Sequence, residues 1–233
     1  MRLLEIHNLT KKYDNQLVLD NVCLNINKGD VYGLIGKNGA GKTTLFKLLE
    51  GSILSDEGEI YWGTGDSKNI KVGICIAPER INKSLTAFQT LSLYGNSIAK
   101  ISRREIDNIL KLVGLYEQRN KKIAKFSTGM KQKLILAIAL LDFPDILILD
   151  EPLNGLDPSS VREIRDLLYK LNKEKEVTMI ISSHILGELT KISTRYGLLV
   201  EGKLVKEFSA MDISDMNEDE KELYILRTLE EMV

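Results

Sequence analysis

Leu34-Ile35-Gly36-Lys37-Asn38-Gly39-Ala40-Gly41-Lys42-Thr43-Thr44-Leu45 is the stretch whose reading decides the fold. Ahead of it the apolar segment Val31 to Ile35 reads as a buried strand, and behind it Leu45, Phe46, Leu48 and Leu49 recur at helical spacing. The implied unit is strand, glycine turn, helix. A triphosphate is best held by several backbone N–H groups pointing inward, and glycine lets a chain turn that tightly because no Cβ stands in the way. Gly36, Gly39 and Gly41 supply this freedom, and Asn38, Ala40 and Thr44 belong to the same nucleotide-binding loop. A helix beginning near Lys42 adds unsatisfied N–H groups and the positive end of its dipole. The Lys42 ammonium can then reach β- and γ-phosphates, and the Thr43 hydroxyl is placed to bind Mg²⁺. The loop alone leaves open what the nucleotide is used for.

The 233 residues, 43% of them hydrophobic, suffice for one large domain or two small ones. Lys plus Arg number 32 against 33 Asp plus Glu, so charge gives no argument for a nucleic-acid or acidic-membrane partner. The two cysteines, Cys23 and Cys75, sit in apolar strand-like runs and read as small packed hydrophobes, which fits a reducing cytoplasm. Charges interrupt the start, Met-Arg-Leu-Leu-Glu-Ile-His, where a signal peptide needs an apolar core, and the longest apolar run, Leu134 to Leu141, is too short to span a bilayer. Work at a membrane would require another chain to cross it.

Along the chain, Leu3 to Leu9 reads as a first strand and Leu17 to Ile26 as further β structure, with Val18, Val22, Leu24 and Ile26 sharing one face. Tyr13, between them, suits either a purine ring stacked on it or a half-buried strand end. Gly51 reads as the residue after a helix and Ser55 to Gly58 as a turn, followed by strands Glu59 to Trp62 and Lys71 to Ile76 around a polar loop. Residues 85–141 form a helical block, announced by capping boxes at Thr86-x-x-Gln89 and Ser102-x-x-Glu105, and the second helix stops at Gly114. The basic run Arg119 to Lys122 reads as a solvated loop. Ile146 to Leu149 and Val177 to Ser182 read as strands buried on both faces. Asp157-Pro158 caps a helix striped by Val161, Ile164, Leu167, Leu168 and Leu171. A hairpin around Glu201-Gly202 follows, and then an acidic stretch, Asp212 to Glu220, ahead of a short helix.

Phosphoryl transfer to water needs a metal held, developing charge stabilised and a water oriented. Asp150, at the carboxyl end of a buried strand, is where an open α/β sheet presents ligand-binding groups, and it is assigned to Mg²⁺. Glu151 projects differently and is the candidate general base. His184 ends another strand, where it can donate to the γ-phosphate. His7 reads as an ordinary strand residue.

Together these residues resemble the ATP-binding cassette (ABC) ATPases along nearly the whole chain. Phe126-Ser127-Thr128-Gly129-Met130-Lys131-Gln132-Lys133 is similar to that family's signature sequence, Leu156-Asp157 to its D-loop, and Ser182-Ser183-His184 to its switch histidine. The resemblance implies an α/β fold: a P-loop NTPase (RecA-like) core with a mainly parallel sheet, an N-terminal antiparallel β part and an inserted helical subdomain. One ABC ATPase domain would fill 1–233, with 1–84 and 142–233 as core and 85–141 as helical subdomain. It further implies that Ser127 and the Gly129 N–H bind the γ-phosphate of ATP held by a second subunit. Tyr13 would stack on adenine, Val18 would line the ribose, and Asp157 would lie at the dimer contact.

Two departures stand out. Thr128 and Met130 occupy positions where the family has glycine and glutamine, a variant similar to single-cassette ATPases of ABC-2-type and antibiotic- or peptide-resistance exporters. Ala77-Pro78-Glu79 stands where Pro-Gln is usual, leaving Glu79 as a candidate for water or Mg²⁺. The expectation is a cytoplasmic, membrane-peripheral subunit that hydrolyses ATP, dimerises and drives a separate membrane permease, with export favoured. The alternative is a soluble ABC ATPase acting on DNA, chromosomes or ribosomes, whose relatives usually carry paired cassettes, coiled-coil insertions or zinc-binding cysteines absent here.

Overall fold

The computed structural model describes residues 1–14, 16–63, 70–75, 81–98, 101–183 and 185–232. Its centre is a six-stranded sheet ordered β5-β6-β7-β3-β8-β9, built from β3 (Val31–Ile35), β5 (Val72–Ile74), β6 (Ile146–Leu149), β7 (Thr178–Ser182), β8 (Arg195–Val200) and β9 (Lys203–Ser209). Neighbours are parallel except β8 and β9, which close as an antiparallel hairpin. Glu201 (φ 44°) and Gly202 (φ 81°) make its turn, the positive pair that a two-residue hairpin favours.

The continuous apolar runs in β6 and β7 have a direct cause: each strand faces two cores. Ile146, Ile148 and Ile180 pack with α1 (Lys42–Leu49) and the N-terminal strands, while Leu147, Leu149, Met179 and Ile181 pack with the helices on the other side. That second core contains α4 (Thr128–Ala139) and α5 (Pro158–Lys175). Helix α1 buries Leu45, Phe46, Leu48 and Leu49 as its spacing predicts, and Gly51 leaves it at φ 69°.

A smaller antiparallel sheet, β2-β1-β4, is made by β1 (Arg2–Tyr13), β2 (Gln16–Asn27) and β4 (Glu57–Trp62). Its strands run longer than the hydrophobic pattern predicts and carry irregularities that the pattern does not show. The β1/β2 register shifts near Asn21, which sits at φ 53°. Beyond that shift Leu19, and not Val18, takes the buried face: Leu19 is fully buried and Val18 only half. Gly58, expected in a turn, lies within β4 at φ 83°, where any Cβ would collide with the Asn8 carbonyl. Cys23 corrects the other expectation for this region. It is exposed, and its thiol donates to Asn8 Oδ1 at 3.1 Å while accepting from Asn8 N at 3.3 Å. Cys75 does pack, and burial pushes its thiol well above the usual range.

Both capping boxes of the helical block form. Thr86 and Gln89 exchange bonds of 2.9 and 3.2 Å ahead of α2 (Ala87–Ile98), and Ser102 and Glu105 do so for α3 (Arg103–Leu112). The basic run is a surface loop in which the Arg119 guanidinium lies 4.0 Å from the Tyr116 ring centroid. A four-residue helix, α6 (Leu186–Leu189), follows β7. At the C-terminal end α7 (Glu218–Glu231) starts inside the acidic stretch, capped by Asn217, so that Glu218, Asp219 and Glu220 face the positive end of its dipole.

Candidate active site

The glycine loop turns directly off the carboxyl end of β3 and enters α1 through Gly41 at φ 108°. Two of its glycines are obligatory for packing. A Cβ on Gly36 would strike the Leu199 carbonyl, and one on Gly41 would stand 2.8 Å from the Val18 carbonyl oxygen. The loop lines a cavity of about 640 Å³ together with Val18, Glu151 and Asn154, and Asn38, Gly39, Ala40 and Thr44 all contribute to its wall. Lys42 is buried, with its ammonium donating to the Gly36 carbonyl at 2.6 Å and to the Lys37 carbonyl at 3.3 Å. A cation is thus held across the mouth of a ring of backbone groups.

Asp150 joins three elements. Its Oδ2 accepts from Thr43 Oγ1 at 3.0 Å, its Oδ1 accepts from Ser182 Oγ at 2.5 Å, and Ser182 Oγ accepts from Glu151 N at 2.8 Å. The reason is topological: β6, β7 and β3 are adjacent and parallel, so their carboxyl ends deliver Asp150, Ser182 and the loop to one edge. Glu151 adopts φ 48°, a left-handed conformation uncommon for a residue with a side chain, which turns the chain sharply after Asp150 and brings Glu151 to the cavity wall. The hydroxyl and carboxylate oxygens of Thr43 and Asp150 fit Mg²⁺, which favours hard oxygens, keeps several waters and needs only one or two carboxylates beside phosphate.

Tyr13, Ser127 and Gly129 do not line this cavity. Tyr13, at the end of β1, is exposed and lies outside the cavity lining, with the Lys11 ammonium 5.6 Å from its ring centroid. Ser127 caps α4 by accepting from Met130 N at 3.2 Å, and neither it nor Gly129 lines the cavity. Gly129 packs instead on Ser160, near the start of α5. Glu79 and His184 lie outside the described residues. Sequence reasoning missed the bridging by Ser182 and the wall position of Asn154. Ser182 belongs to the Ser182-Ser183-His184 motif, which points to the histidine, no motif marks Asn154, and only the strand order shows that Ser182 ends beside Asp150.

A glycine loop between a parallel strand and a helix, faced by a carboxylate from the same sheet edge, defines a P-loop nucleotide-binding protein. The family model described as "ABC transporter" matches residues 19–154, and the chain belongs to that family. It is similar to the "Bacitracin transport ATP-binding protein BcrA" of Bacillus licheniformis, at 40% identity over 211 residues, 88% of this chain and 69% of the relative. It is likewise similar to the "Lantibiotic transport ATP-binding protein SrtF" of Streptococcus pyogenes, at 39% identity over 210 residues, 88% of this chain and 90% of the relative. Among solved structures, a dimeric post-hydrolysis state of an ATP-binding cassette bound to ADP and Pi superposes with a TM-score of 0.79, at 25% identity over 89% of this chain and 99% of that one. The chain therefore has the P-loop, RecA-like ABC ATPase fold expected of it, and it is an ATP-binding, ATP-hydrolysing subunit of the ABC transporter class. No described helix is long and apolar enough to cross a membrane.

Proposed function

We propose that this chain is the motor of an exporter. It hydrolyses ATP at the cytoplasmic face of a membrane and drives a separate permease, as a single ABC ATPase domain over 1–233 whose segment 85–141 is the helical subdomain. The observation that carries the reading is the convergence of Lys42, Thr43 and Glu151 on one cavity wall, with Asp150 bonded to Thr43 beside it. The names of the two relatives, in bacitracin and lantibiotic transport, support export.

In this mechanism the loop amides of residues 36–44 bind the phosphates, and the Lys42 ammonium exchanges the Gly36 and Lys37 carbonyls for phosphate oxygens. Thr43 and Asp150 hold Mg²⁺, with Glu79 as a further candidate, and Mg²⁺ supplies neutralisation of phosphate charge. Ser182 fixes the Asp150 carboxylate and, through the Glu151 N–H, the base beside it. Glu151 takes the proton of the attacking water, His184 donates to the γ-phosphate, and Val18 and Tyr13 serve the ribose and adenine. Ser127 and the Gly129 N–H would complete the site on a second subunit, a reading supported by their absence from the lining of their own chain's cavity. Transport would follow from closure and reopening of that dimer.

Glu151→Gln tests the assignment. The variant is expected to bind ATP with unchanged affinity, accumulate a nucleotide-bound dimer in size-exclusion chromatography, and lose roughly 10²-fold or more in turnover. Near wild-type phosphate release would remove Glu151 as the base.

A further inference from the structure

Helix α5 is tied on both sides. Toward α4, a Cβ on Gly129 would lie 2.9 Å from Ser160 Cβ and closer still to its hydroxyl, so the two helix starts touch without a gap, and four residues further along α4 the Lys133 ammonium pairs with Glu163. Toward α6, Arg165 Nη1 donates to Glu188 Oε2 at 2.8 Å, and Lys191 donates to Glu188 Oε1 at 2.7 Å. Arg165 and Glu188 retain only 18% and 19% side-chain exposure, and no other ion pair among the described residues has both partners so enclosed. The rest of the guanidinium is engaged by Asp166, through Nε at 3.1 Å and Nη2 at 2.8 Å. Burial alone would raise the Glu188 carboxyl, and Lys191 and Arg165 reverse this and hold it below the usual range. Such a pair, joining an eighteen-residue helix to a four-residue one, fixes orientation more than it adds stability.

The placement gives the pair a use. Helix α6 follows β7 after only residues 183–185, and β7 ends in Ser182, which holds both Asp150 and the Glu151 amide. We propose that Arg165 and Glu188 are positioning residues that couple the two half-sites of this cassette, the Ser127–Gly129 end of α4 and the Ser182 end of β7. This rests on the composite-site reading above. A shift of the α4 start on meeting a partner's nucleotide is transmitted to α5 through Ser160 and Glu163. The Arg165–Glu188 pair passes it to α6, and Ser182 delivers it to the base and metal carboxylates. Engagement of one nucleotide thereby prepares the other for hydrolysis.

The experiment compares Glu188→Gln, Arg165→Gln and the double variant by ATP affinity, kcat and Hill coefficient. Each single variant should lose about tenfold in kcat and most of its cooperativity, with ATP affinity of the isolated protomer unchanged and the double variant no worse than either single. Glu188→Asp should restore most of both. Unchanged kcat and Hill coefficient, or losses that simply add, overturn the proposal. Should the single variants fold poorly, the apolar replacement Arg165→Met with Glu188→Leu keeps the packing. Lost cooperativity in that folded protein supports the coupling role, and retained cooperativity overturns it. Failure of the composite-site reading is separate, since it appears as full ATP turnover in Ser127→Arg.

Discussion

At Gly129 an absent side chain serves the protein's own packing. Ser160 cannot simply yield to a Cβ there, because its hydroxyl donates to Asp157 Oδ2 at 2.7 Å and its N–H donates to Oδ1 at 3.1 Å. Those bonds, with those from Ser159, hold the Asp157 carboxyl far below the usual range, so it stays ionised as the cap of α5. Gly129→Ala should therefore destabilise the fold by about 1–3 kcal/mol, the typical cost of overpacking. In a Ser160→Gly background, where the clash is removed, the same change should cost about 1 kcal/mol less. Urea denaturation midpoints of the four proteins decide it, and equal costs in both backgrounds would show that Ser160 does not demand the glycine. Individual residues were legible in sequence where chemistry restricts the choice, as at Gly36, Gly41, Lys42, Thr43 and Asp150. Ser182 was not, because a serine at a strand end has many uses and only the neighbouring strand reveals this one.

Elements were legible where two independent signals agreed. Capping residue and periodicity together placed α3 and α5, and uninterrupted apolar runs placed β6 and β7 between two cores. The N-terminal sheet was less legible, since Asn8 and Asn21 take positive φ without any glycine to announce it, and alternation fails beyond each. The link between α5 and α6 was also invisible in sequence, yet it has a measurable signature. The Glu188 carboxyl is depressed in the folded chain, facing Arg165 and Lys191 with Asp166 bound to the same guanidinium. Its stabilising contribution is thus full above the unfolded carboxylate value of about 4.3 and is lost as pH falls through the lower folded value. The difference in urea midpoint between wild type and Glu188→Gln should be constant near neutrality and should shrink as the medium is acidified below about pH 4. A difference that grows on acidification would contradict the depressed carboxyl.

For the whole molecule, the order of motifs along the chain indicated the fold, whereas the composite site proposed above would not be contained in one chain. Ser127 caps a helix whose first turn holds Gly129, neither residue lines the cavity that Lys42 lines, and the solved post-hydrolysis cassette is a dimer. Two-fold pairing makes a sharp prediction for mixed subunits. Lys42→Ala should silence the site whose phosphate loop it occupies, and Ser127→Arg should silence the site on the opposite protomer, so each homodimer is inactive. In a heterodimer of the two, both lesions fall in one site and the second site keeps an intact Lys42 and an intact Ser127. Equal mixing should then restore up to about a quarter of the wild-type phosphate release, since half the dimers are mixed and each has one sound site. The gain falls below that ceiling where the defective site no longer prepares the sound one, as the coupling through α5 implies. Activity no greater than the sum of the separate variants, with mixed dimers shown to form by differential tagging, would place both residues in one chain's site and dissolve the composite arrangement.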